Sequence, residues 1–287
     1  MKILVTGASG FLGKRAMELF GNRFEVVGTS FSKSVDGLLK VDITDKEELR
    51  ELIDNCKPDV IFHTAAIVDV DLCEKENDKC RKVNVDASCY LAELCKEKNV
   101  KLVLTSSDYI FSGENSPYNE DSEAHPKSYY GNTKLMMEQE AIKVNPDVLI
   151  IRLPILYGMG NRDKLVLPTV ESIKQGKEIV IDDYRKKYPV LIDDVVKNAI
   201  ILIEKGEKGI FHFASKKELD RFEIANTVAK VFKLDTTLIK KEQGKEFPNK
   251  PENVEMINNK CKALNFVSFE QGVEIVRKQI QDESSKI

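Results

Sequence analysis

The sequence predicts a doubly wound α/β fold, a Rossmann-type parallel sheet with helices on both faces. The first observation behind this prediction is a series of short apolar runs of strand length, separated by amphipathic stretches of helical length. The second is a glycine-rich turn that directly follows the first apolar run and precedes a predicted helix. In such a sheet, ligands bind outside the carboxyl ends of the strands. We therefore expect the first half of the chain to bind a nucleotide.

The apolar runs are predicted to form buried parallel strands, and the amphipathic stretches between them to form helices. The runs cover residues 2–6, 25–29, 59–66, 100–107 and 147–154. The predicted helices cover residues 12–20, 45–55, 79–98 and 129–144. Thr44-Asp45-Lys46-Glu47 has the pattern of a capping box, which indicates the start of the second helix.

The pattern becomes less regular after Gly158, where helices predicted at 193–205 and 221–232 alternate with short apolar runs. We expect a nucleotide-binding domain and a smaller mixed α/β substrate-binding part that shares an interface with it. The predicted boundaries are 1–158 with 193–206 for the first, and 159–192 with 207–287 for the second.

The composition is that of an ordinary globular protein. The chain has 287 residues, of which 42% are hydrophobic, with 44 basic and 47 acidic residues in mixed runs. Because no basic patch is present, nucleic acid is not an expected partner. No apolar run approaches the ~20 residues that span a bilayer, and no secretory segment opens the sequence. We expect a soluble cytoplasmic protein without a membrane partner, and the sequence leaves a homodimer open.

The cysteines and histidines show no spacing typical of a metal site or a redox motif. Six cysteines occur without a Cys-x-x-Cys pair, and the three histidines are scattered. We predict free thiols in a reducing compartment, structural histidines and no metal. The cysteines stand at positions 56, 73, 80, 89, 95 and 261.

The glycine-rich turn, TGASGFLG at 6–13, has the spacing Gly-x-x-Gly-x-x-Gly. Gly7 is predicted to permit the tight turn, and Gly10 to let the backbone approach a pyrophosphate. Gly13 is predicted to let the helix pack closely on the strand, so that the helix N-terminus faces the negative charge. An ordinary strand-to-helix turn is the alternative.

A tyrosine and a lysine form the candidate catalytic pair. In SYYGNTK, Tyr130 and Lys134 are four residues apart and share a helix face, whereas Tyr129 lies well round the helix. A nearby cation favours phenolate, so Lys134 is expected to lower the pKa of Tyr130. The pair would then donate a proton near neutral pH.

The glycine spacing and the Tyr130-x-x-x-Lys134 motif together resemble the extended branch of the short-chain dehydrogenase/reductase family. Within this branch the sequence is similar to the dTDP-4-dehydrorhamnose reductase family over essentially its whole length. The most discriminating segment is TSSDYIFSG, because sugar epimerases of the branch usually lack its Asp-Tyr pair. The segments that carry the resemblance are 6–13, 57–74, 82–85, 105–113, 130–138, 151–158 and 193–196.

The resemblance implies four catalytic residues. Ser107 would hydrogen-bond the substrate carbonyl, and Tyr130 would protonate the developing alkoxide. Lys134 would lower the pKa of Tyr130 and bind the nicotinamide ribose, and Asn84 would position the lysine through a water. The alternative for Asn84 is an ordinary polar helix residue.

The end of the second predicted strand, GTSFSK at 28–33, bears on the cofactor. An acid there would bind the free ribose 2′-hydroxyl of NADH, but none occurs before Asp36. Ser30, Ser32 and Lys33 are suited to a 2′-phosphate, so NADPH is favoured and NADH is the alternative. A solvated loop is the other reading for Lys33. The other cofactor contacts that the resemblance implies are Gly7, Ser9, Gly10, Phe11, Leu12, Gly13, Asp42, Ile43, Ala65, Ala66, Tyr130 and Lys134.

The resemblance also implies a substrate pocket, lined by Asp71, Asp108, Tyr109 and Arg152. A structural ion pair is the alternative for Asp71 and Arg152. Cations after the sixth strand, Arg185 among them, are suited to the diphosphate of a sugar nucleotide, with a solvated charged face as the alternative. Tyr129 is expected to pack under the substrate or against the loop 114–127.

The function that the resemblance implies is NADPH-dependent reduction of a 4-keto-deoxysugar nucleotide in dTDP-L-rhamnose biosynthesis. Two alternatives stay open. One is a nucleotide-binding regulatory protein, because the regulatory subunit of methionine adenosyltransferase resembles the same family. The other is an NAD-dependent sugar-nucleotide epimerase or dehydratase, which needs tightly held NAD⁺ and usually an acid at the second strand.

Overall fold

The computed structural model of the chain describes residues 1–31, 35–160, 163–215, 217–242 and 249–285. The strands are β1 (Lys2–Thr6), β2 (Glu25–Ser30), β3 (Leu38–Lys40), β4 (Val60–His63), β5 (Lys101–Ser107), β6 (Leu149–Leu153), β7 (Leu156–Tyr157), β8 (Ile179–Asp182), β9 (Lys186–Lys187), β10 (Val190–Leu191), β11 (Gly209–His212), β12 (Leu219–Asp220) and β13 (Ile239–Glu242).

Helices connect most of these strands. They are α1 (Phe11–Gly21), α2 (Lys46–Cys56), α3 (Val70–Lys75), α4 (Asn77–Arg81), α5 (Ala87–Lys98), α6 (Tyr129–Val144), α7 (Leu167–Lys174), α8 (Ile192–Glu204), α9 (Arg221–Val231) and α10 (Phe269–Ser284). A π-helical turn (Lys82–Asp86) joins α4 to α5, and 3₁₀ turns cover Asp108–Ile110 and Thr236–Leu238.

The central sheet is parallel and doubly wound, which confirms the predicted fold class. Within the described residues it has seven strands in the order β11-β6-β5-β4-β1-β2-β3. The chain moves outward from β1 to β3 and then returns to add β4 on the other side of β1. The carboxyl ends of β1 and β4 therefore border the topological switch point, where such sheets bind ligands.

Alternate residues of the central strands pack on opposite faces of the sheet. Ile3 and Val5 of β1 face a core that α1 and α8 complete, whereas Leu4 faces a core that α2, α5 and α6 complete. A strand buried on both faces must be apolar at successive positions, which explains the continuous apolar runs in the sequence.

Side-chain caps explain where the predicted helices begin. Asp45 accepts hydrogen bonds from the backbone N–H groups of Glu47 and Glu48 and is the N-cap residue of α2. The second helix therefore starts at Lys46, one residue after the predicted start at 45. Ser128 caps α6 through the N–H of Gly131, and this helix covers the predicted residues 129–144. The predicted helix 79–98 contains the π-helical turn between α4 and α5.

The position of β11 corrects one part of the predicted domain boundaries. The sequence predicts that residues 207–287 belong to the substrate-binding part, but β11 pairs in parallel with β6 and extends the central sheet. The alternating apolar residues of GIFHF provide this edge strand, which the sequence pattern predicts only as one of the short apolar runs of the less regular part. The division of the rest of the chain stays a prediction.

The second part packs around its own apolar clusters. One cluster joins α7, α9 and α10, and another lies between α7, α9 and the parallel pair β8 and β13. The antiparallel pair β9 and β12 brings Lys187 opposite Leu219, next to the start of α9. Among the residues described, no helix combines the length and the apolar character needed to cross a membrane.

Candidate functional site

The glycine-rich turn lies at the switch point, between β1 and α1. Gly7 has a φ of +73°, and a Cβ at this position would lie 2.7 Å from the backbone of Ala65. A Cβ on Gly13 would lie 2.2 Å from the carbonyl oxygen of Gly7, so only glycine permits this close packing of helix on turn. Both observations match the roles predicted for these two glycines.

The first turn of α1 presents an uncapped helix N-terminus beside this loop. Gly10 is the N-cap residue and contributes no side-chain hydrogen bond, and Phe11 and Leu12 begin the helix. Ser9 is exposed on the loop. The backbone N–H groups of the first turn are therefore available to an anion, as a pyrophosphate site requires.

The segment after β4 lies directly against the glycine turn. Thr64 donates a hydrogen bond from Oγ1 to the carbonyl oxygen of Thr6 (2.8 Å), which joins the ends of the two strands. Ala65 contacts Gly7, and Ala66 is half-buried next to it. The structure thus brings both predicted alanines to the edge of the cofactor site.

The structure describes only some of the residues that are predicted to select the cofactor. Ser30 is buried at the end of β2, and Phe31, which follows, is 68% exposed. Ser32 and Lys33 lie outside the described residues. Asp42 accepts two hydrogen bonds from Thr44, through its N–H and its Oγ1, and Ile43 is buried.

The candidate catalytic pair lies on the buried face of α6, as the helical spacing predicted. Tyr130 is 8% and Lys134 is 5% exposed. The Nζ of Lys134 donates a hydrogen bond to the backbone carbonyl of Thr105 on β5 (2.9 Å). This bond anchors the ammonium at the carboxyl end of the sheet, beside the predicted catalytic strand.

The electrostatics of the pair differ from the prediction. Burial raises the pKa of Tyr130 well above its ordinary value, and the hydroxyl of Ser107 only partly offsets this effect. Burial also lowers the pKa of Lys134 to about 8, against the attraction of Glu138. Lys134 is not among the groups that shift the pKa of Tyr130, so the expected lowering is wrong for this structure. The phenol therefore keeps its proton at neutral pH, where it can serve as an acid.

Ser107 and Asp108 end β5 side by side. Ser107 donates a hydrogen bond to Oδ1 of Asp108 (3.1 Å) and accepts one from the N–H of Tyr109 (3.2 Å). Burial raises the pKa of Asp108 to about 6, although the positive charge of Lys187 and the Ser107 hydroxyl oppose this shift. The ring of Tyr109 lies edge-on to Tyr130, with 5.7 Å between centroids.

Asn84 lies in the π-helical turn and links two parts of the site. Its amide bonds both the N–H and the carbonyl of Ile67, at 2.8 and 3.0 Å, and donates to Oγ1 of Thr133 (3.1 Å). Thr133 is the neighbour of Lys134 and donates in turn to the carbonyl of Tyr130 (2.7 Å). Asn84 thus fixes the loop after β4 against α6, while its predicted water-mediated role stays a prediction.

The structure corrects the substrate role predicted for Arg152. Its guanidinium is 5% exposed and bonds the carboxylate of Glu138 on α6, with a shortest distance of 2.7 Å. It also lies 3.1 Å from Nε2 of His212. Because these partners occupy its donors, Arg152 forms a structural ion pair, the alternative reading of the sequence.

The other predicted pocket residues surround Tyr109. Asp71 is exposed on α3, and its negative charge acts on the phenol of Tyr109. Arg185 is buried and pairs with Asp182 (2.6 Å), and its charge also acts on Tyr109. Arg185 is therefore held by a carboxylate at the border of the pocket and is not on a solvated face.

Arg221, at the start of α9, is a cation that the sequence prediction missed. The positive charges of Arg221 and Arg185 both lower the pKa of Lys187, for which burial is the main cause. The β9–β12 pairing brings Lys187 to the start of α9, where Arg221 lies, and the charge of Lys187 acts on Asp108. No local motif marks Arg221, because a tertiary strand pairing places it here.

The cysteines differ from the prediction at one pair. Cys73 and Cys80 form a disulfide, whereas Cys56, Cys89, Cys95 and Cys261 are free. The short turn between α3 and α4 brings the two sulfurs together, which the spacing in the sequence did not reveal. No cluster of three or more potential metal-ligating side chains occurs in the described part of the chain.

Tyr129 packs against the cluster that contains this disulfide. It joins a cluster that contains Cys73, Cys80 and Tyr130, and its backbone N–H donates to Oε1 of Glu74 (2.7 Å). The predicted position, under the substrate or against the loop 114–127, stays a prediction.

Comparisons with known proteins agree with the fold. The family model described as the RmlD substrate binding domain matches residues 1–283. A probable low-salt glycan biosynthesis reductase of Haloferax volcanii is 32% identical over 83% of this chain and 83% of its own. Methionine adenosyltransferase 2 subunit beta of Bos taurus is 31% identical over 82% of this chain and 73% of its own.

Solved structures give the same result. A dTDP-4-dehydrorhamnose reductase of Clostridium acetobutylicum superposes with a TM-score of 0.88 at 26% identity, covering 98% of this chain and 100% of that one. The enzyme of that name from Yersinia enterocolitica has a TM-score of 0.83 at 28% identity, with 96% and 98% covered. The chain therefore belongs to the RmlD family, the dTDP-4-dehydrorhamnose reductase-like members of the extended short-chain dehydrogenase/reductases.

Proposed function

We propose that this protein is an NADPH-dependent reductase of a 4-keto-deoxysugar nucleotide, of the type that serves dTDP-L-rhamnose biosynthesis. The observation that carries this proposal is the convergence of Ser107, Tyr130 and Lys134 at the carboxyl edge of the sheet, beside an uncapped helix N-terminus. The relatives named as reductases support the same reaction class.

The proposed chemistry divides between the cofactor and the protein. The cofactor, when bound, supplies the hydride to the keto carbon of the sugar. Ser107 orients the carbonyl oxygen by a hydrogen bond, and Tyr130 donates its proton to that oxygen as negative charge develops there. The raised pKa of Tyr130 keeps the proton in place until an alkoxide, a stronger base than phenolate, can accept it.

Lys134 and the glycine turn would hold the cofactor. The ammonium of Lys134 keeps two donors beyond its bond to Thr105 and can reach a ribose hydroxyl. The N–H groups of the first turn of α1 would bind the pyrophosphate. NADPH is favoured because no acid stands at the described end of β2, where Phe31 follows Ser30. A relative from Bacillus anthracis was solved in complex with NADP.

The sugar nucleotide would bind on the side of Tyr109 that faces away from the cofactor. Asp71, Asp108 and Tyr109 would contact the sugar, and a diphosphate would lie near Arg185 and Arg221. The cations Arg185, Lys187 and Arg221 lie close enough to act on one another, and their guanidinium and ammonium groups are suited to a diphosphate.

The direct test is NADPH oxidation on addition of dTDP-4-keto-6-deoxymannose. We expect wild-type turnover to be abolished by Tyr130→Phe and Arg185→Ala to raise the KM for the sugar nucleotide far more than that for NADPH. A small keto compound without a diphosphate should not respond to Arg185→Ala. Absence of turnover with any 4-keto sugar nucleotide would contradict the proposal.

A regulatory role is the second candidate, because relatives named methionine adenosyltransferase 2 subunit beta are about 31% identical. In that case the protein would change the kinetics of a methionine adenosyltransferase catalytic subunit, and Tyr130→Phe would keep this effect. Turnover of a sugar nucleotide without any effect on such a partner would exclude this candidate.

A further inference from the structure

The Cys73–Cys80 disulfide lies in the wall of the candidate active site. Both cysteines are fully buried, and with Tyr130 they form one apolar cluster. Ile67, Val70, Tyr109 and Tyr129 pack against the same cluster. The proton donor of the proposed reaction therefore has this disulfide among its packing neighbours.

Polar contacts join the disulfide-bearing segment to the catalytic helix. Glu74, next to Cys73, accepts a hydrogen bond from the N–H of Tyr129 in the first turn of α6 (2.7 Å). The Sγ of Cys73 lies 3.8 Å from the carbonyl oxygen of Ile67, and that oxygen accepts a hydrogen bond from the amide of Asn84. A shift of α3 would thus be transmitted both to α6 and to the loop after β4.

Reduction must move atoms in this cluster. Bonded sulfurs are about 2.05 Å apart, whereas two thiol sulfurs in contact need roughly 3.5–4 Å. The two sulfurs must then separate by more than about 1 Å, and a close-packed interior has no free volume to accept this. Because Cys73 and Cys80 are fully buried, the displacement falls on their neighbours, Tyr130 included.

The segment is accessible enough for the exchange to occur in the folded protein. Residues 74–79 between the two cysteines are all exposed, and α3 and α4 have six and five residues. Such short helices with few buried side chains open locally at low free-energy cost. A thiolate can then attack the disulfide through a mixed disulfide.

We propose that Cys73 and Cys80 are a redox-responsive pair that controls the alignment of Tyr130, with the disulfide as the active form. The exchange partner is a dithiol: it gives two electrons and two protons to the sulfurs of Cys73 and Cys80 and becomes a disulfide itself. Reduction displaces the proton donor, and a displacement of about 1 Å can lower the rate about 100-fold.

The test titrates the whole protein with defined ratios of reduced and oxidised dithiothreitol and counts free thiols by alkylation and mass. The chain has six cysteines, so the count should rise from four to six. The chain has no tryptophan, and three of its eight tyrosines, Tyr109, Tyr129 and Tyr130, belong to or pack against the cluster, so a change in the cluster contributes to the tyrosine emission. We expect emission to rise on reduction, as contact quenching by the disulfide is lost, and kcat for NADPH oxidation to fall at least tenfold.

The kcat readout rests on the proposed function, whereas thiol count and emission do not. Cys73→Ala combined with Cys80→Ala should abolish the response to dithiothreitol, and Cys89→Ala, at a free cysteine of α5, should keep it. A redox-dependent emission without turnover in either state would support the pair and contradict the reductase. A count of six thiols without reductant, or a kcat that stays constant as the count rises from four to six, would overturn the proposal.

Discussion

At the residue scale, the two adjacent tyrosines of α6 offer a direct test of the proton donor. Tyr130→Phe removes the phenol that faces Ser107, so we expect kcat to fall by about 10²–10⁴-fold with an unchanged dissociation constant for NADPH. Tyr129→Phe is the matched control, because its backbone bond to Glu74 and its ring packing survive. A wild-type rate for Tyr130→Phe together with a slow Tyr129→Phe would contradict the assignment.

Asp108 gives a prediction about stability and pH. Burial raises its pKa from 3.8 to about 6, so between these values the folded protein binds more protons than the unfolded chain. The free energy of unfolding of the wild type should therefore fall as pH rises through this window. Asp108→Asn removes the charge, and its stability advantage over wild type should grow to at most about 3 kcal/mol above pH 6.

The measurement is urea unfolding of both proteins between pH 4.5 and 7.5, compared at each pH. A difference between Asp108→Asn and wild type that does not change with pH would show that Asp108 titrates normally.

At the scale of elements, the buried pair of Arg152 and Glu138 joins β6 to α6. Arg152→Met would leave the carboxylate of Glu138 buried without its partner, and we expect a loss of about 3–5 kcal/mol in the free energy of unfolding. Lys208→Met is the matched control, because it breaks the exposed pair with Asp147, which solvent screens, and should leave the free energy of unfolding nearly unchanged.

Urea unfolding measures both variants, and kinetics on the folded fraction distinguish the two readings of Arg152. If Arg152 only forms a structural ion pair, Arg152→Met leaves the KM for the sugar nucleotide unchanged. A raised KM with unaltered stability would restore the substrate role.

The elements also show which parts of the fold the sequence could predict. The strands buried on both faces and α6 follow from local apolar patterns and from a cap at Ser128, so the sequence predicts them within a few residues. The pairs β7–β10 and β9–β12 have two residues each and exist only through tertiary pairing, which no local pattern encodes.

The candidate site was predictable to a similar degree. Glycine spacing and helical phase indicated the turn at Gly7 and the pair Tyr130 and Lys134. The pKa of Tyr130 depends on burial, and the partner of Arg152 depends on which helix crosses β6, so neither could be read from neighbouring residues. Arg221 was missed for the same reason, because a strand pairing distant in sequence places it.

At the scale of the whole molecule, cofactor binding should stabilise the fold as a unit. At a free NADPH concentration 100 times its dissociation constant, we expect the free energy of unfolding to rise by about 2.7 kcal/mol. NADH at the same concentration should give a smaller increase. Equal melting temperatures with NADPH and NADH would contradict the cofactor preference.

A substitution at the end of β2 should reverse this preference. Phe31→Asp places a carboxylate at an exposed position directly after the strand, where it would repel a 2′-phosphate and accept the ribose hydroxyls of NADH. Phe31→Asn is the uncharged control. A tenfold change in the ratio of dissociation constants corresponds to about 1.4 kcal/mol and is measurable by titration. An unchanged ratio would place the 2′-phosphate elsewhere.

The π-helical turn at Lys82–Asp86 sets the rotational phase between α4 and α5. Each residue of an α-helix turns the chain by about 100°, so removing one residue here to restore a regular α-helix would rotate α4 by that angle relative to α5. The segment that carries the Cys73–Cys80 disulfide would then turn as a unit relative to α5, and the amide of Asn84 would leave Ile67. The single extra residue thus acts as a spacer that keeps two contacts in register, and the length of this segment is under a stricter constraint than its composition.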